Sequence, residues 1–136
     1  MTLAWLTIFG VSLTVLAAGT SLGMLLFPER WGRLEGWAYG GLRRPWPVWG
    51  LAALLLALWG LGMADFALRP DTGRTWAGWA LVAGVPALWA VKSAALVFNP
   101  KGRSVVSGIS DPRVWRRIGL ARLPIALGLA ALVWFA

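Results

Sequence analysis

The residues best suited to chemistry in this sequence are arginines and lysines, and they gather in two stretches. The more basic stretch runs from Asn99 to Arg122, where six basic residues stand against one acid, Asp111, and leave a net charge of +5. An earlier stretch, residues 28–47, holds four arginines and two glutamates and so carries +2. Basic groups beside long apolar segments are typical of contact with anionic lipid headgroups. We therefore predict headgroup contacts at Arg43, Arg44, Arg113, Arg116 and Arg117.

Three of these arginines have helical spacing. Arg113, Arg116 and Arg117 stand at positions i, i+3 and i+4, which lie on one face of a helix. Ser110-Asp111-Pro112 precedes them, and an acceptor side chain followed by proline is a helix-start signal. This pattern predicts a short amphipathic helix on the membrane surface that leads into the last apolar segment.

Lys92 is the only ionisable residue well inside an apolar segment. It lies six residues before Phe98, or roughly 9 Å along a helix, so its stem can carry the ammonium towards the interface. A charge inside a membrane is also a functional signal by default. Both interpretations stay open. Because Asp65 is expected near the opposite membrane face, we expect no acid to pair with Lys92.

Other reactive residue types are missing or scattered. The 136 residues contain no Cys and no His, which excludes disulfides, thiolate catalysis and the commonest metal, haem and general-base side chains. The five acids are spread along the chain, and none lies in the middle of an apolar segment. We therefore predict no catalytic residues, no metal site and no cofactor, and we interpret the protein as not an enzyme.

The composition is that of a membrane protein. Hydrophobic residues make up 59% of the chain, charged residues only 13%, and the mean hydropathy is +0.70. A soluble domain is about a quarter charged. The apolar residues form four blocks of about 20, the length that crosses a bilayer core. We predict an all-α integral membrane protein with a single four-helix domain.

Proline and charge set the limits of the four predicted spans. These are residues 3–27, 48–68, 76–98 and 118–135, with basic loops at 28–47 and 99–117. The first span contains Gly19 and Gly23, a GxxxG pair of the kind that lets two membrane helices approach closely. The other interpretation is incidental glycine, because the chain contains 17.

The loop charges predict an orientation. The loop between the second and third spans pairs Arg69 and Arg74 with Asp65 and Asp71 and is neutral. By the positive-inside rule, the two basic loops are cytoplasmic and both termini lie on the other side. The two halves also share a pattern, LLFPERWGR and LVFNPKGR, each followed by paired arginines. A parallel two-helix tandem repeat would give this pattern, and so would two unrelated basic loops.

Three function classes fit these features. The first is a small non-catalytic accessory or scaffold subunit that packs against larger membrane proteins, or against its own copies, and against anionic lipids. The second is a small oligomeric transporter or channel with a cationic cytoplasmic vestibule. The third is a lipid- or pigment-binding module. The basic charge is interpreted as lipid contact rather than nucleic-acid contact. The 11 tryptophans and the Arg-, Gly- and Ala-rich composition favour a bacterial inner (plasma) membrane.

Overall fold

The protein is entirely helical in the part of the chain that a computed structural model describes, which is residues 4–39, 44–96, 99–109 and 111–136. The α-helices within these ranges are α1 (Trp5–Leu26), α2 (Pro28–Tyr39), α3 (Trp46–Leu68), α4 (Trp76–Trp79), α5 (Val85–Leu96), α6 (Pro100–Ser107) and α7 (Pro112–Phe135). A π-helical segment (Ala80–Gly84) joins α4 to α5, so Trp76–Leu96 forms one continuous third span. A 3₁₀ turn (Asp71–Gly73) precedes it.

Four of these helices are long and apolar enough to cross a membrane, which confirms the predicted class of fold. They are α1, α3, the third span and α7, with 22, 23, 21 and 24 residues. α1, α3 and the third span agree with the predicted spans to within two residues at each described end. The predicted end of the third span at residue 98 lies outside the described residues.

The helix that contains the fourth span begins six residues before the predicted span, because the predicted surface helix and span are one helix. α7 starts at Pro112 and continues to Phe135 without interruption. Asp111 caps it, since its side-chain Oδ1 accepts a hydrogen bond from the backbone N–H of Arg113 at 2.9 Å. The sequence signal for the helix start was therefore right, and the membrane boundary at residue 118 stays a prediction.

Each of the two predicted basic loops contains a short helix. α2 continues through Gly36 for twelve residues. α6 begins at Pro100, a residue that suits the first turn of a helix, and Asn99 Oδ1 caps it by accepting from the N–H of Lys101 at 3.0 Å. Asn99-Pro100 thus starts a new helix. Glycine is required at position 102, because a Cβ there would meet the carbonyl group of Ala95.

α1 is the central helix of the bundle. It runs antiparallel to α7, since Gly10 lies against Val133 at one end and Met24 lies against Gly119 at the other. α3 crosses the start of α1, where Gly62 approaches Leu6 and Phe9. The main buried cluster lies at the end of the bundle away from the basic helices, and it consists of Leu6, Phe66, Leu81, Val82 and Leu129.

The π-helical segment has a cause in the sequence. Pro86 has no N–H, so it cannot donate to the carbonyl of Val82 four residues earlier. The carbonyl instead accepts a hydrogen bond from the indole Nε1–H of Trp59 on α3, at 2.8 Å. The N–H of Val85 bonds to Ala80, one residue further back than in an α-helix. Pro86 therefore accompanies a π-turn, and the hydrogen bond from Trp59 joins this turn to α3.

The two halves of the chain share an order of elements. α1, α2 and α3 follow as span, short helix and span, and the third span, α6 and α7 follow in the same way. The tandem repeat and the orientation of the termini stay predictions.

Candidate functional site at the basic end

α2 is held against the end of the bundle by two contacts between a glycine and a tryptophan. A Cβ on Gly23 of α1 would lie 2.9 Å from the Trp31 ring, and a Cβ on Gly32 would lie 2.9 Å from Nε1 of Trp115 on α7. The Trp115 Nε1–H also donates to the carbonyl of Ile109 at 3.1 Å. Trp31 and Gly32 therefore lie on the inner face of α2, and this helix packs beside the start of α7.

A pocket of about 450 Å³ lies where the first turns of α2 and α7 meet. Three arginines line it, Arg30 and Arg33 from α2 and Arg116 from α7. The rest of the lining is Leu26, Phe27, Pro28, Glu29 and Pro112. The Arg30 guanidinium carbon lies 5.7 Å from the centre of the Phe27 ring, a distance at which a cation and an aromatic face attract. The pocket lining thus combines three cations with apolar side chains.

The three arginines of this pocket have no described carboxylate within ion-pair distance. The described ion pairs join Arg69 to Asp65 at 3.3 Å and Arg74 to Asp71 at 3.4 Å, both at the opposite end of the bundle. Glu29 shares the pocket lining but comes no closer than 4.0 Å to any of the three guanidinium groups. The pocket therefore carries a net positive charge that the described part of the chain does not neutralise by direct pairing.

Glu35 lies on α2, and the sequence did not predict which groups its carboxylate would meet. Its carboxylate interacts electrostatically with Arg122 on α7 and Lys92 on the third span. The sequence indicated no acid that could pair with Lys92, and the described ion pairs do not include one. α2 nevertheless brings Glu35 across the end of the bundle and into electrostatic range of Lys92. Burial raises the pKa of Glu35 above its ordinary value, and the Arg122 charge, a hydrogen bond from Trp31 and the Lys92 charge act against that rise.

The arginines predicted to meet headgroups have different surroundings. Arg113 and Arg117 are exposed on α7, as is Arg116, while Trp115 between them is buried. Arg44 is buried, and its side chain donates to the carbonyl of Ala38 near the end of α2. Arg43 lies outside the described residues. The sequence did not select Arg30 and Arg33 for this role, although their i, i+3 spacing places them on one face of α2.

The two glycines of the GxxxG pair also differ. A Cβ on Gly19 would meet nothing within 4 Å, whereas one on Gly23 would meet Trp31 of α2. Gly23 therefore serves a contact inside the chain, and Gly19 lies on an open face of α1. A role for this pair in packing against another molecule stays a prediction.

A second polar cluster lies at the opposite end. Asp65 Oδ2 on α3 accepts from the backbone N–H of Leu6 at 3.1 Å, at the free N-terminal turn of α1. The same oxygen pairs with Arg69, which donates to the backbone oxygen of Ala136 at 3.1 Å. These contacts join the ends of α1, α3 and α7. The i, i+4 spacing of Asp65 and Arg69 was a sequence signal for the ion pair, but nothing in the sequence indicated Leu6.

Comparison with protein-family models, curated proteins and solved structures finds no match for this chain. In the described part of the chain, no three His, Cys, Asp or Glu side chains gather in a way that could hold a metal ion. The class of protein therefore follows from the fold alone. The chain is a small multi-pass membrane protein with four apolar helices of spanning length.

Proposed function

We propose that the protein is a non-catalytic accessory subunit of a bacterial plasma membrane, which packs against a larger membrane protein through α3. Its basic end lies on the cytoplasmic side and contacts anionic lipids. Both termini lie on the other side. The observation that carries the accessory role is the exposed surface of α3.

α3 is the least covered of the four spans. It packs mainly against α1, and its described buried residues are Gly62 and Phe66 alone. Its large exposed apolar side chains are Trp46, Trp49, Leu51, Leu54, Leu56, Leu61, Met63 and Leu68. In a membrane such a face meets either lipid tails or another apolar helix. Small residues favour the helix, because they let two backbones approach closely. Gly60 lies on this span with nothing within 4 Å of where its Cβ would be.

The test is recovery of the tagged protein from its native membrane in polymer discs, followed by native mass spectrometry. We expect a fixed complex with a larger membrane protein. The variant Gly60→Leu should lose that partner, because it puts a bulky side chain on the proposed contact face. Gly128→Leu on α7 is the matched control, since Gly128 also has open space around it. Recovery of the wild-type chain alone, or only with its own copies, would contradict the proposal.

A second candidate is a small transporter for anions, and the group formed by Glu35, Lys92 and Arg122 favours it. Three different elements bring these charges together at the basic end, as a polar path through a membrane requires. If this function is right, Lys92→Met should abolish anion flux in liposomes while leaving the helical content unchanged. Equal flux in Lys92→Met and wild-type protein, or no flux in either, would remove this candidate.

A further inference from the structure

We propose that the pocket between α2 and α7 is a specific site for the phosphate group of an anionic phospholipid, with Arg30, Arg33 and Arg116 as its ligands. This inference rests on the lipid-contacting part of the proposed function and is independent of the accessory role. It differs from the sequence prediction, which placed headgroup contacts at Arg43, Arg44, Arg113, Arg116 and Arg117 and included neither Arg30 nor Arg33.

The charge of the pocket lining favours an anionic ligand. The pocket lining contains three guanidinium groups and one carboxylate, Glu29, so its formal charge is +2. Guanidinium groups recognise phosphate oxygens through paired, charge-assisted hydrogen bonds. The first turns of α2 and α7 both border the pocket. The partial positive charge at the N-terminus of α2 adds to the attraction for an anion, whereas the first N–H groups of α7 already donate to Asp111.

Two apolar side chains in the pocket lining, Leu26 and Phe27, favour a lipid over a free phosphate ion. Leu26 and Phe27 line the pocket at the end of α1 and are 66% and 54% exposed. The pocket therefore lies where a membrane span ends, at the depth of the headgroup layer. A phospholipid can place its phosphate between the arginines and its first acyl carbons against Leu26 and Phe27. A free phosphate ion would leave that apolar surface uncovered.

The directions from which the three arginines approach also favour a specific site. Arg30 and Arg33 share one face of α2, and Arg116 approaches from α7, so the ligands come from two helices that Trp31 and Trp115 hold in place. A volume of about 450 Å³ lies within the usual range of small-molecule sites. Cations that converge from two packed helices distinguish a site from a diffuse basic surface, because the helix backbones need not move when the ligand binds.

The experiment compares two double variants that remove the same charge. Arg33→Gln with Arg116→Gln changes the pocket, and Arg113→Gln with Arg117→Gln changes exposed arginines outside its lining. Each purified protein is titrated with phosphatidylglycerol and with phosphatidylcholine, and bound lipid is counted by native mass spectrometry. We expect the pocket variant to lose phosphatidylglycerol affinity by tenfold or more, on the order of one lost charge-assisted contact. The control variant should lose little, and phosphatidylcholine should bind weakly to all three proteins.

Equal losses in the two double variants would overturn the proposal, because they would show diffuse attraction and no site. Unchanged binding in the pocket variant would also overturn it. Inorganic phosphate is added as a competitor: displacement of the lipid by low concentrations of phosphate would show a free-phosphate site and contradict the lipid assignment. A melting curve checks folding, which these exposed side chains should not affect. Failure here leaves the larger partner of α3 in place, so it is distinguishable from failure of the accessory role.

Discussion

At the scale of the residue, the contact between α1 and α7 depends on Gly119. A Cβ at this position would lie 2.7 Å from the Met24 Cβ and 2.8 Å from the backbone oxygen of Ser21. Backbone cannot move away as a flexible side chain can, so the helices would have to separate. Gly119→Ala should therefore destabilise the bundle by about 1–3 kcal/mol, as overpacking in a core does.

The matched control for this prediction is Gly128→Ala on the same helix. Both changes gain the same helix propensity, but a Cβ on Gly128 would meet nothing within 4 Å. Thermal unfolding in detergent should show a lower midpoint for Gly119→Ala and an equal or higher midpoint for Gly128→Ala. Equal midpoints for the two variants would show that the close contact between α1 and α7 is absent.

Glu35 makes the packing of α2 against the bundle dependent on pH. Burial raises its pKa in the docked helix, while a detached α2 would restore the ordinary value of 4.5. The docked state then binds more protons between these two pKa values, so docking strengthens as pH falls through that window. Hydrogen exchange of the α2 amides, corrected for intrinsic rates, should show rising protection as pH is lowered from neutral towards 4.5.

Glu35→Gln should abolish this pH dependence, because the amide resembles the protonated acid at every pH. Glu29→Gln on the same helix is the control, since Glu29 is exposed, and its pH profile should match that of the wild type. Protection of α2 that falls on acidification would mean that the Arg122 and Lys92 charges outweigh burial.

At the scale of the element, Trp59 and Pro86 act as a pair. The Trp59 indole occupies the Val82 carbonyl that Pro86 leaves free, so Trp59→Phe should cost about 1 kcal/mol for the lost hydrogen bond. In a Pro86→Ala background the N–H of residue 86 can take that carbonyl, and the cost of Trp59→Phe should shrink. A double-mutant cycle of unfolding free energies measures this coupling. Additive effects of the two changes would contradict the pairing.

The elements that sequence could predict are those governed by length and composition. The four spans follow from apolar runs of sufficient length, and Asp111 with Pro112 correctly marked the start of α7. α2 and α6 could not be predicted in the same way, since both are short and the glycines within them, Gly36 and Gly102, are locally unfavourable for helices. Their stability comes from tertiary contacts, such as those of Trp31 and Trp115 with glycines far away in sequence.

The sequence likewise predicted only part of the candidate site. Sequence placed Arg116 among the headgroup ligands and identified Lys92 as an intramembrane charge. It could not associate Arg116 with Arg30 and Arg33, or Lys92 with Glu35, because these groups meet only when α2 lies across the end of the bundle. Periodicity reports which residues share a face of one helix, and it carries no information on which faces meet.

At the scale of the whole molecule, charge separates the two ends. Arg30, Arg33, Arg113, Arg116 and Arg117 gather at one end, while the other end holds Asp65 and Arg69 as an internal pair. By the positive-inside rule we propose that the basic end faces the cytoplasm, where anionic lipids would attract it. The lipid pocket and the accessory role are both proposed for a protein in this orientation, so the orientation is the central claim.

Single-cysteine labelling tests that claim most directly, because the chain has no cysteine of its own. Thr72→Cys lies between α3 and the third span, and Val105→Cys lies on α6; both positions are exposed. A membrane-impermeant maleimide is applied to intact spheroplasts and to lysed ones. We predict labelling of Thr72→Cys in intact spheroplasts and of Val105→Cys only after lysis. The reverse pattern, or labelling of both positions from the same side, would contradict the account.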